Sequence, residues 1–249
     1  MKFTWPVNSE EKNFCRHIDD LIFSSQKQFC VRFSGFLTER EQTLALAEAH
    51  SLGVECSFFG GYADASRKIF AAPKASDEEF PLSAITFLFR RQDNLTHRDF
   101  LGALMSLGIN RNLIGDIKVG QGEAIIFVLS TVSALILDEV KKIGNVGVKA
   151  TEGICTRLPK QEFDVLNLTV SSLRIDAVVS AVCGISREKS YSLIRSGSVI
   201  VSGIQVGSSS EIIDIDEVFS VKGYGKYFLS EIGSLTKKGK VHIKIKKYK

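Results

Sequence analysis

The sequence has few of the residues that build metal sites or disulfide frameworks. Its 249 residues include only five cysteines and four histidines. The cysteines are odd in number, form no C-x-x-C pair and lie far apart, at Cys15, Cys30, Cys56, Cys155 and Cys183. His17 follows Cys15 closely, but one C-x-H pair is not a metal-ligand spacing. We therefore expect reduced thiols and no bound metal.

Long apolar runs are also missing from the sequence. The run Ala124–Ser130 is far short of the roughly 20 residues that a membrane-spanning helix needs. The first residues, MKFTWPVNSEEK, contain no apolar core of signal-peptide length. These absences predict a cytoplasmic protein without a membrane span.

Sequence signatures of catalysis and cofactor binding are absent as well. The segment GGYADASRK (Gly60–Lys68) lacks both the G-x-G-x-x-G and the GK[ST] pattern of phosphate-binding loops. It is more typical of a plain turn before a basic surface. No Ser/His/Asp, Cys/His or paired-carboxylate arrangement stands out. We expect no cofactor and no enzymatic activity.

Length and composition favour a multi-domain α+β protein. Apolar residues make up 44% of the chain and charged residues 24%, as in ordinary globular proteins. A chain of this length can hold two or three small domains. We predict an N-terminal α/β domain over 1–75, a middle domain over 76–160 and a C-terminal domain over 171–249, with a polar stretch at 73–80 as the first boundary.

The first 60 residues read as mainly helical. Ser9 is a candidate N-cap for a helix whose apolar face carries Phe14, Ile18, Leu21 and Ile22. Thr38 and Glu41 have the spacing of a capping box, for a helix that runs to Leu52. Val54–Phe59 is a strand candidate.

The middle domain has the element order βαββαβ. A strand at Ala84–Arg90 precedes a helix that Thr96 caps and that runs from His97 to Leu107; Thr131 is the candidate cap of the second helix. The remaining strand candidates are Asp116–Val119, Glu123–Leu129 and Val146–Ala150. This order is typical of the ferredoxin-like fold that RNA-recognition modules also use.

An RNA-recognition module stacks bases on exposed aromatic side chains of its central strands. Here the third strand of the domain offers a single aromatic residue, Phe127, in an aliphatic run. The pattern therefore predicts a scaffold or interaction domain, and leaves contact with RNA or the ribosome open.

The stretch Leu173–Gly203 in the last third has the clearest signals for where helices and strands begin and end. It predicts a helix over Leu173–Cys183 that ends at Gly184, a second helix over Arg187–Ser196 with Ser186 as N-cap, and a strand at Val199–Val201. A linker with one strand candidate, Phe163–Val170, precedes it. The final strand, Val241–Lys247, alternates apolar residues with His242, Lys244 and Lys246, a pattern that protection of a sheet edge alone would also explain.

Positive charge is concentrated in this last third. Residues 171–249 contain 13 Lys and Arg against 7 Asp and Glu, whereas residues 1–170 contain 19 against 21. Charge of one sign in one domain suggests a polyanionic partner, although a solvated Lys-rich tail would look the same.

A candidate phosphate site lies where the two helices of this stretch begin. Arg187 and Lys189 occupy the first turn of the second helix, next to its Ser186 cap, and Arg174 begins the first helix. Arg195 lies two turns beyond Arg187 on nearly the same face. We include Lys222 and Lys226 in the RNA-binding set, and we expect Asp176 to orient Arg174 or to cap the helix.

These residues resemble the S-four-type (αL) RNA-binding domain, whose pattern runs R-[LI]-D, SR…A…LI…G.V.VNG. The matching positions are Arg174-Ile175-Asp176, Ser186-Arg187, Leu193-Ile194, Gly197, Val199, Val201 and Gly203. The chain departs from the pattern at Ser190, at Ser202 and before Asp216-Glu217, and none of these departures removes a cationic position.

The wider chain resembles the YlmH family of bacterial proteins. The segments FFGGYADASRK, RDFLGALMSLGI, IGDI and TVSSLRID carry this resemblance. It implies an RNA-recognition-like middle domain and a C-terminal S-four-type domain. It also implies binding of ribosomal RNA and tRNA on the large ribosomal subunit in quality control of stalled nascent chains, with a link to cell division. We expect a monomer.

Two other interpretations remain open. Leu173–Asp176 also resembles the R-L-D signature of pseudouridine synthases, in which the aspartate is the nucleophile. That interpretation would need a second R-L-D element on a separate large sheet domain. Alternatively, the chain is a protein-interaction module for cell division, which would use residues 1–150 rather than the arginines.

Overall fold

The chain folds into two compact units, Met1–Lys160 and Gln161–Lys249, in a computed structural model that describes residues 6, 8–154, 158 and 163–248. Both units mix helices with sheets, as expected for an α+β chain of several domains. No helix among the described residues is long and apolar enough to cross a membrane. The boundaries predicted at residues 75 and 171 stay predictions.

The described residues of the first unit form four helices and nine strands. In chain order they are α1 Ser9–Gln28, β1 Arg32–Leu37, α2 Glu39–Ser51, β2 Ser57–Phe59, β3 Lys68–Ala72, β4 Leu82–Leu88, α3 His97–Ser106, β5 Ile114–Gly120, β6 Glu123–Leu129, α4 Ser133–Glu139, β7 Lys142–Ile143, β8 Val146–Gly147 and β9 Lys149–Glu152. Three short 3-10 turns lie at Asp77–Glu79, Arg111–Leu113 and Ser130–Val132.

The N-terminal part of this unit contains more strand than predicted. Its antiparallel sheet has the order β1-β3-β2, and α1 and α2 cover one face. The N-cap of α1 is Asn8, whose side chain accepts from the Glu11 amide, so the expectation of Ser9 was wrong by one residue. The capping box of Thr38 and Glu41 is confirmed.

The middle sheet has the order β5-β6-β4-β9, with every neighbouring pair antiparallel. The predicted element order βαββαβ is present, with the short β7-β8 hairpin inserted after α4. Thr96 caps α3 as expected, in a capping box with Asp99. Thr131 is not a cap, because it lies within a 3-10 turn and α4 begins two residues later, at Ser133.

Both faces of the middle sheet are buried. One face packs on α3 and α4 in a cluster that includes Phe87, Phe100 and Ile126. The other face, through Ile125 and Phe127 of β6, packs on residues of β1 and β3 in the N-terminal sheet. The two sheets of the first unit therefore share an apolar core.

Polar contacts of the GGYADASRK segment also join the two sheets. The carboxylate of Asp116 on β5 accepts hydrogen bonds from the Tyr62 hydroxyl and from the amides of Ser66 (2.7 Å) and Arg67 (3.1 Å). The Arg67 guanidinium donates to the carbonyls of Ile114 (3.1 Å) and Phe36 (2.7 Å). The segment is a turn, as expected, but Arg67 points inward and forms no basic surface.

Replacing Asp116 with Ala should loosen the contact between the two sheets. Three donors would lose their acceptor in a largely buried place, and we expect a loss of about 2–4 kcal/mol in the stability of the first unit. Hydrogen exchange of the amides in β3 and β5 measures this loss, with the second unit as internal reference. The matched variant Tyr62→Phe removes one of the three bonds and should cost about 1 kcal/mol. Equal effects of the two changes would contradict the central role of the carboxylate.

A second acidic group lies between α1 and α2. Burial raises the pKa of the Asp19 carboxyl, and the neighbouring Glu48 charge raises it further. The Asp19 Oδ1 atom is buried and has no hydrogen-bond partner among the described residues. The ionised side chain is thus disfavoured in the folded unit.

The raised pKa of Asp19 determines the direction in which this residue changes stability as the pH rises. Ionisation of Asp19 opposes folding, so the destabilisation that this group causes is absent below its ordinary pKa of about 3.9. Stability then falls as the pH rises through the raised value. Asp19→Asn should therefore raise the melting temperature at pH 7 and change it little near pH 4, in thermal unfolding followed by circular dichroism. Asp138→Asn, at an exposed aspartate of α4, supplies the control; a destabilised Asp19→Asn protein at pH 7 would refute the interpretation.

The part of the second unit that the structure describes contains two helices packed on a six-stranded antiparallel sheet. Its elements are β10 Phe163–Val170, α5 Ile175–Cys183, α6 Arg187–Arg195, β11 Val199–Val201, β12 Ile204–Gln205, β13 Val218–Val221, β14 Gly225–Leu235 and β15 Val241–Tyr248, with the sheet order β10-β15-β14-β13-β11-β12. The strand at Phe163–Val170, which we assigned to a linker, pairs over its whole length with β15 and belongs to this sheet.

Candidate nucleic-acid interface

Helices α5 and α6 form a helical hairpin that has the predicted caps at its turn. Helix α5 ends at Gly184, whose φ of 62° is the left-handed conformation that glycine adopts without strain. The Ser186 side chain caps α6 by accepting from the Lys189 amide at 3.2 Å. The Ser180 hydroxyl donates to the Ile185 carbonyl and closes the connection between the helices. The turn is therefore short, and the N-terminus of α6 is held in place.

Asp176 lies between two of the predicted arginines. Its Oδ1 atom is 3.2 Å from Arg174 Nε and 3.4 Å from Arg187 Nη2, and its Oδ2 atom is 3.3 Å from Arg174 Nη2. Oδ1 also accepts from the Ala177 amide at 2.9 Å. The carboxylate therefore bridges the N-termini of both helices, as the expected orienting contact with Arg174 requires.

The two guanidinium groups remain open to solvent although they share a buried carboxylate. The side chains of Arg174 and Arg187 are 44% and 52% exposed, while that of Asp176 is 12% exposed. Two positive charges against one negative charge leave this group of three with a net positive charge. Exposed, oriented cations beside the N-termini of helices are suited to anion binding.

The backbone around α5 fixes the position of this group. The Ile175 amide donates to the Glu211 carbonyl at 2.7 Å, which ties the start of α5 to the loop before β13. The fully buried Ser190 hydroxyl donates to the Asp176 carbonyl at 2.8 Å. Ser190 occurs where the S-four pattern has alanine, and its hydroxyl adds a bond between the two helices.

The other predicted cations on α6 are exposed. Lys189 lies in the first turn and Arg195 in the last. Tyr191, which sequence reasoning did not select, lies between Arg187 and Arg195 at a spacing of four residues and is 51% exposed. Residues at this spacing share one helix face. An aromatic side chain between two arginines at helical spacing was the signal that could have identified Tyr191.

The remaining predicted cations lie on the sheet rather than on the helices. Lys222 is exposed in the turn between β13 and β14, and its amide donates to the Ser198 carbonyl. Lys226 lies on β14, with its ammonium 5.1 Å from the centre of the Tyr248 ring. The structure thus brings Arg174, Asp176 and Arg187 together. It places Lys222 in the turn before β14 and Lys226 on β14.

The basic row on the last strand is not edge protection. β15 lies between β10 and β14, so it is an interior strand. Ile243 and Ile245 are buried, as the alternation predicts, while His242 is exposed and Lys244 pairs with Glu231. The need to block a sheet edge, which the sequence left open as the reason for these lysines, does not apply to this strand.

Among the described strands of the middle sheet, no exposed aromatic side chain is available for base stacking. Phe127 is fully buried, with the Tyr62 ring centre 5.1 Å from its own. Gly61 passes over the same ring, and a Cβ atom there would lie 2.3 Å from it. The sheet face that carries Phe127 is therefore covered within the first unit.

The comparisons with known proteins agree with the sequence motifs. Residues 73–156, which contain β4 to β9, match the family model described as "Putative RNA-binding domain in YlmH". The "Ribosome-associated protein quality control protein P2" of Bacillus subtilis (strain 168) is 30% identical over 231 residues, covering 90% of this chain and 90% of the relative. The chain belongs to the YlmH family.

Membership of the YlmH family confirms the resemblance found in the sequence. A solved structure, "Cell division protein ylmH from Streptococcus pneumoniae", matches with a TM-score of 0.55 and 23% identity. The match covers 63% of this chain and 98% of that one. At this level of identity the similarity shows that the two share a fold.

Proposed function

We infer that this YlmH-family chain is a non-catalytic RNA-binding protein of the large ribosomal subunit. In this proposal residues 171–249 form an S-four-type domain that binds the phosphates of structured ribosomal RNA or tRNA. The observation that carries the proposal is the shared carboxylate of Asp176, which orients Arg174 and Arg187 at the N-termini of two adjoining helices.

The physical basis is the electrostatics of phosphate binding. Guanidinium groups form paired, charge-assisted hydrogen bonds with phosphate oxygens, and their half-exposed position lets a phosphate reach them without burying an unpaired charge. Lys189 and Arg195 extend the positive surface along α6. Residues 171–249 contain 13 basic and 7 acidic residues, and this excess of positive charge favours the approach of a polyanion.

The ribosomal part of the proposal is supported by the relatives. The Bacillus subtilis relative is named for ribosome-associated quality control, and the matching family model is described as RNA-binding. We propose that this chain acts in the same process, on stalled nascent-chain complexes, as a cytoplasmic monomer.

The role proposed for the middle domain is that of a scaffold. Its βαββαβ order and its β5-β6-β4-β9 sheet support the RNA-recognition-like fold that we expect from the sequence. The burial of Phe127 argues against base stacking on that sheet face. RNA contact by this domain would therefore use its loops or helices.

An enzymatic role is less well supported than RNA binding. In the pseudouridine-synthase interpretation Asp176 would be the nucleophile, but its carboxylate contacts two arginines and a backbone amide. Those contacts serve to hold the arginines. Among the described residues no group of three or more His, Cys, Asp or Glu side chains is arranged to hold a metal ion.

A role in cell division is the second candidate. The observation that favours it is the name of the Streptococcus pneumoniae structure. A protein-interaction module of this kind would depend on the first unit, and substitutions at Arg174 and Arg187 would leave it active.

The test of phosphate binding is a salt titration. Arg187→Ala should weaken binding to a structured RNA hairpin and reduce the slope of log affinity against log salt by about one unit, because one phosphate contact is lost. Fluorescence anisotropy at several salt concentrations measures both effects. Arg16→Ala, an exposed arginine of α1, is the matched control. An unchanged slope for Arg187→Ala would remove Arg187 from the proposed site.

The test of ribosome association is sedimentation of cell extract. On a sucrose gradient the wild-type protein should migrate with the large subunit when translation is stalled, and the double variant Arg174→Ala/Arg187→Ala should shift towards the top. A wild-type protein that stays at the top under stalling would overturn the ribosomal proposal. Co-migration of the double variant would show that other residues carry the binding.

A further inference from the structure

Among the described residues of the second unit, the helices cover one face of the sheet and leave the opposite face without a layer of its own. Alternate residues of its strands point into the core under α5 and α6, and the others point away from it. The pairing of β10, β15 and β14 places the outward residues side by side. We name this surface the aromatic–lysine face; it consists of Phe163, Val165, Lys226, Phe228, Lys246 and Tyr248.

Aromatic rings and lysines alternate on this face. The Phe163 and Tyr248 ring centres are 4.9 Å apart, with the rings at 67° to each other. The Lys246 ammonium lies 5.6 Å from the centre of Phe163 and 5.9 Å from that of Phe228. Lys226 lies over Tyr248. Each ring therefore has a positive charge close to it.

The rings are not part of the buried core. Phe163, Phe228 and Tyr248 are half-buried, whereas Phe219 and Tyr227 on the opposite side are about 1% exposed. Val165, at the centre of β10, is 54% exposed. Core packing thus accounts for the rings of the inner face and leaves those of the outer face without an explanation.

The charge of the face is positive. Among the described strand residues that point outward, Lys244 pairs with Glu231, and Lys246 adds a further positive charge. An electrostatically complementary partner is therefore anionic, and the exposed rings require that it also carry flat apolar groups. Unpaired nucleotides have both properties, whereas the bases of a duplex are stacked on one another.

We propose that the aromatic–lysine face binds a single-stranded segment of RNA. Bases stack on Phe228, Tyr248 and Phe163, and Lys226 and Lys246 hold the phosphates between them. This surface is separate from the helical hairpin proposed to bind structured RNA, so either surface can be lost without the other.

The test uses the full-length chain and a fluorescently labelled 12-nucleotide oligouridine, which forms no stable duplex. Phe228→Leu keeps an apolar side chain but removes the ring, and should weaken oligouridine binding about 5- to 100-fold. Phe228→Tyr keeps the ring and should bind like the wild type. Lys246→Gln should weaken binding and lower its salt dependence, whereas Lys12→Gln, on the exposed side of α1, should do neither.

The two surfaces are distinguished by a crossed comparison. Arg187→Ala should weaken binding of the RNA hairpin and leave oligouridine binding unchanged, and Phe228→Leu should do the reverse. Circular dichroism confirms that each variant is folded. Equal oligouridine affinity of the wild type and a folded Phe228→Leu variant would overturn the proposal, as would equally strong competition by polyglutamate, which has the charge of RNA without its bases. If the protein does not bind the RNA hairpin but its binding of oligouridine depends on Phe228, the function proposed for helices α5 and α6 is wrong and this inference stands.

Discussion

Burial of both faces of the middle sheet is the constraint on which the organisation of the first unit depends. Five consecutive residues of β6, Ala124–Val128, are fully buried, so neither side of that strand can face water. Helices α3 and α4 cover one side, and the N-terminal sheet, together with the loop between β2 and β3 and with Ala75 and Phe80, covers the other. The glycine at position 61 and the carboxylate of Asp116 are needed because the loop between β2 and β3 must approach this sheet closely.

The same constraint separates the roles of the two units. A sheet that is covered on both sides has no surface left for a base or a phosphate, whatever its topology. Within the described residues of the second unit, helices cover one side of the sheet, and its outer side carries lysines and aromatic rings. In our proposal the second unit therefore contacts nucleic acid through its helices and its outer sheet face, whereas contact by the first unit, which contains the match to the RNA-binding family model, would use loops or helices.

Local chemistry made some parts of the fold predictable. Caps and left-handed glycines act within one turn of the chain, and Thr38, Ser186 and Gly184 were identified correctly from neighbours in the sequence. The meeting of Arg174 with Arg187 was also within reach, because a short hairpin joins their helices. Contacts between strands that are distant in the sequence could not be predicted. The place of β10 beside β15 depends on a partner about 80 residues away, and the outer aromatic rings became a cluster only through that pairing.

Wrong predictions also arose from contacts between residues that are distant in the sequence. The inward position of Arg67 depends on carbonyls of Phe36 and Ile114, which no local pattern around Gly60–Lys68 could reveal. The continuous apolar run of β6 did carry a signal, since a strand without alternation is typical of burial on both faces.

The pairing of β10 with β15 also determines how the second unit is built as a module. These are the first and last of its described strands, and their register places Phe163 opposite Tyr248. The start of β10 and the end of β15 are therefore adjacent in space, as in domains that tolerate circular permutation. A short peptide joining those ends, with new termini in the turn between β14 and β15, would preserve every strand pair of the sheet. Such an architecture can be appended to, or inserted into, an unrelated host chain without rearranging its own core.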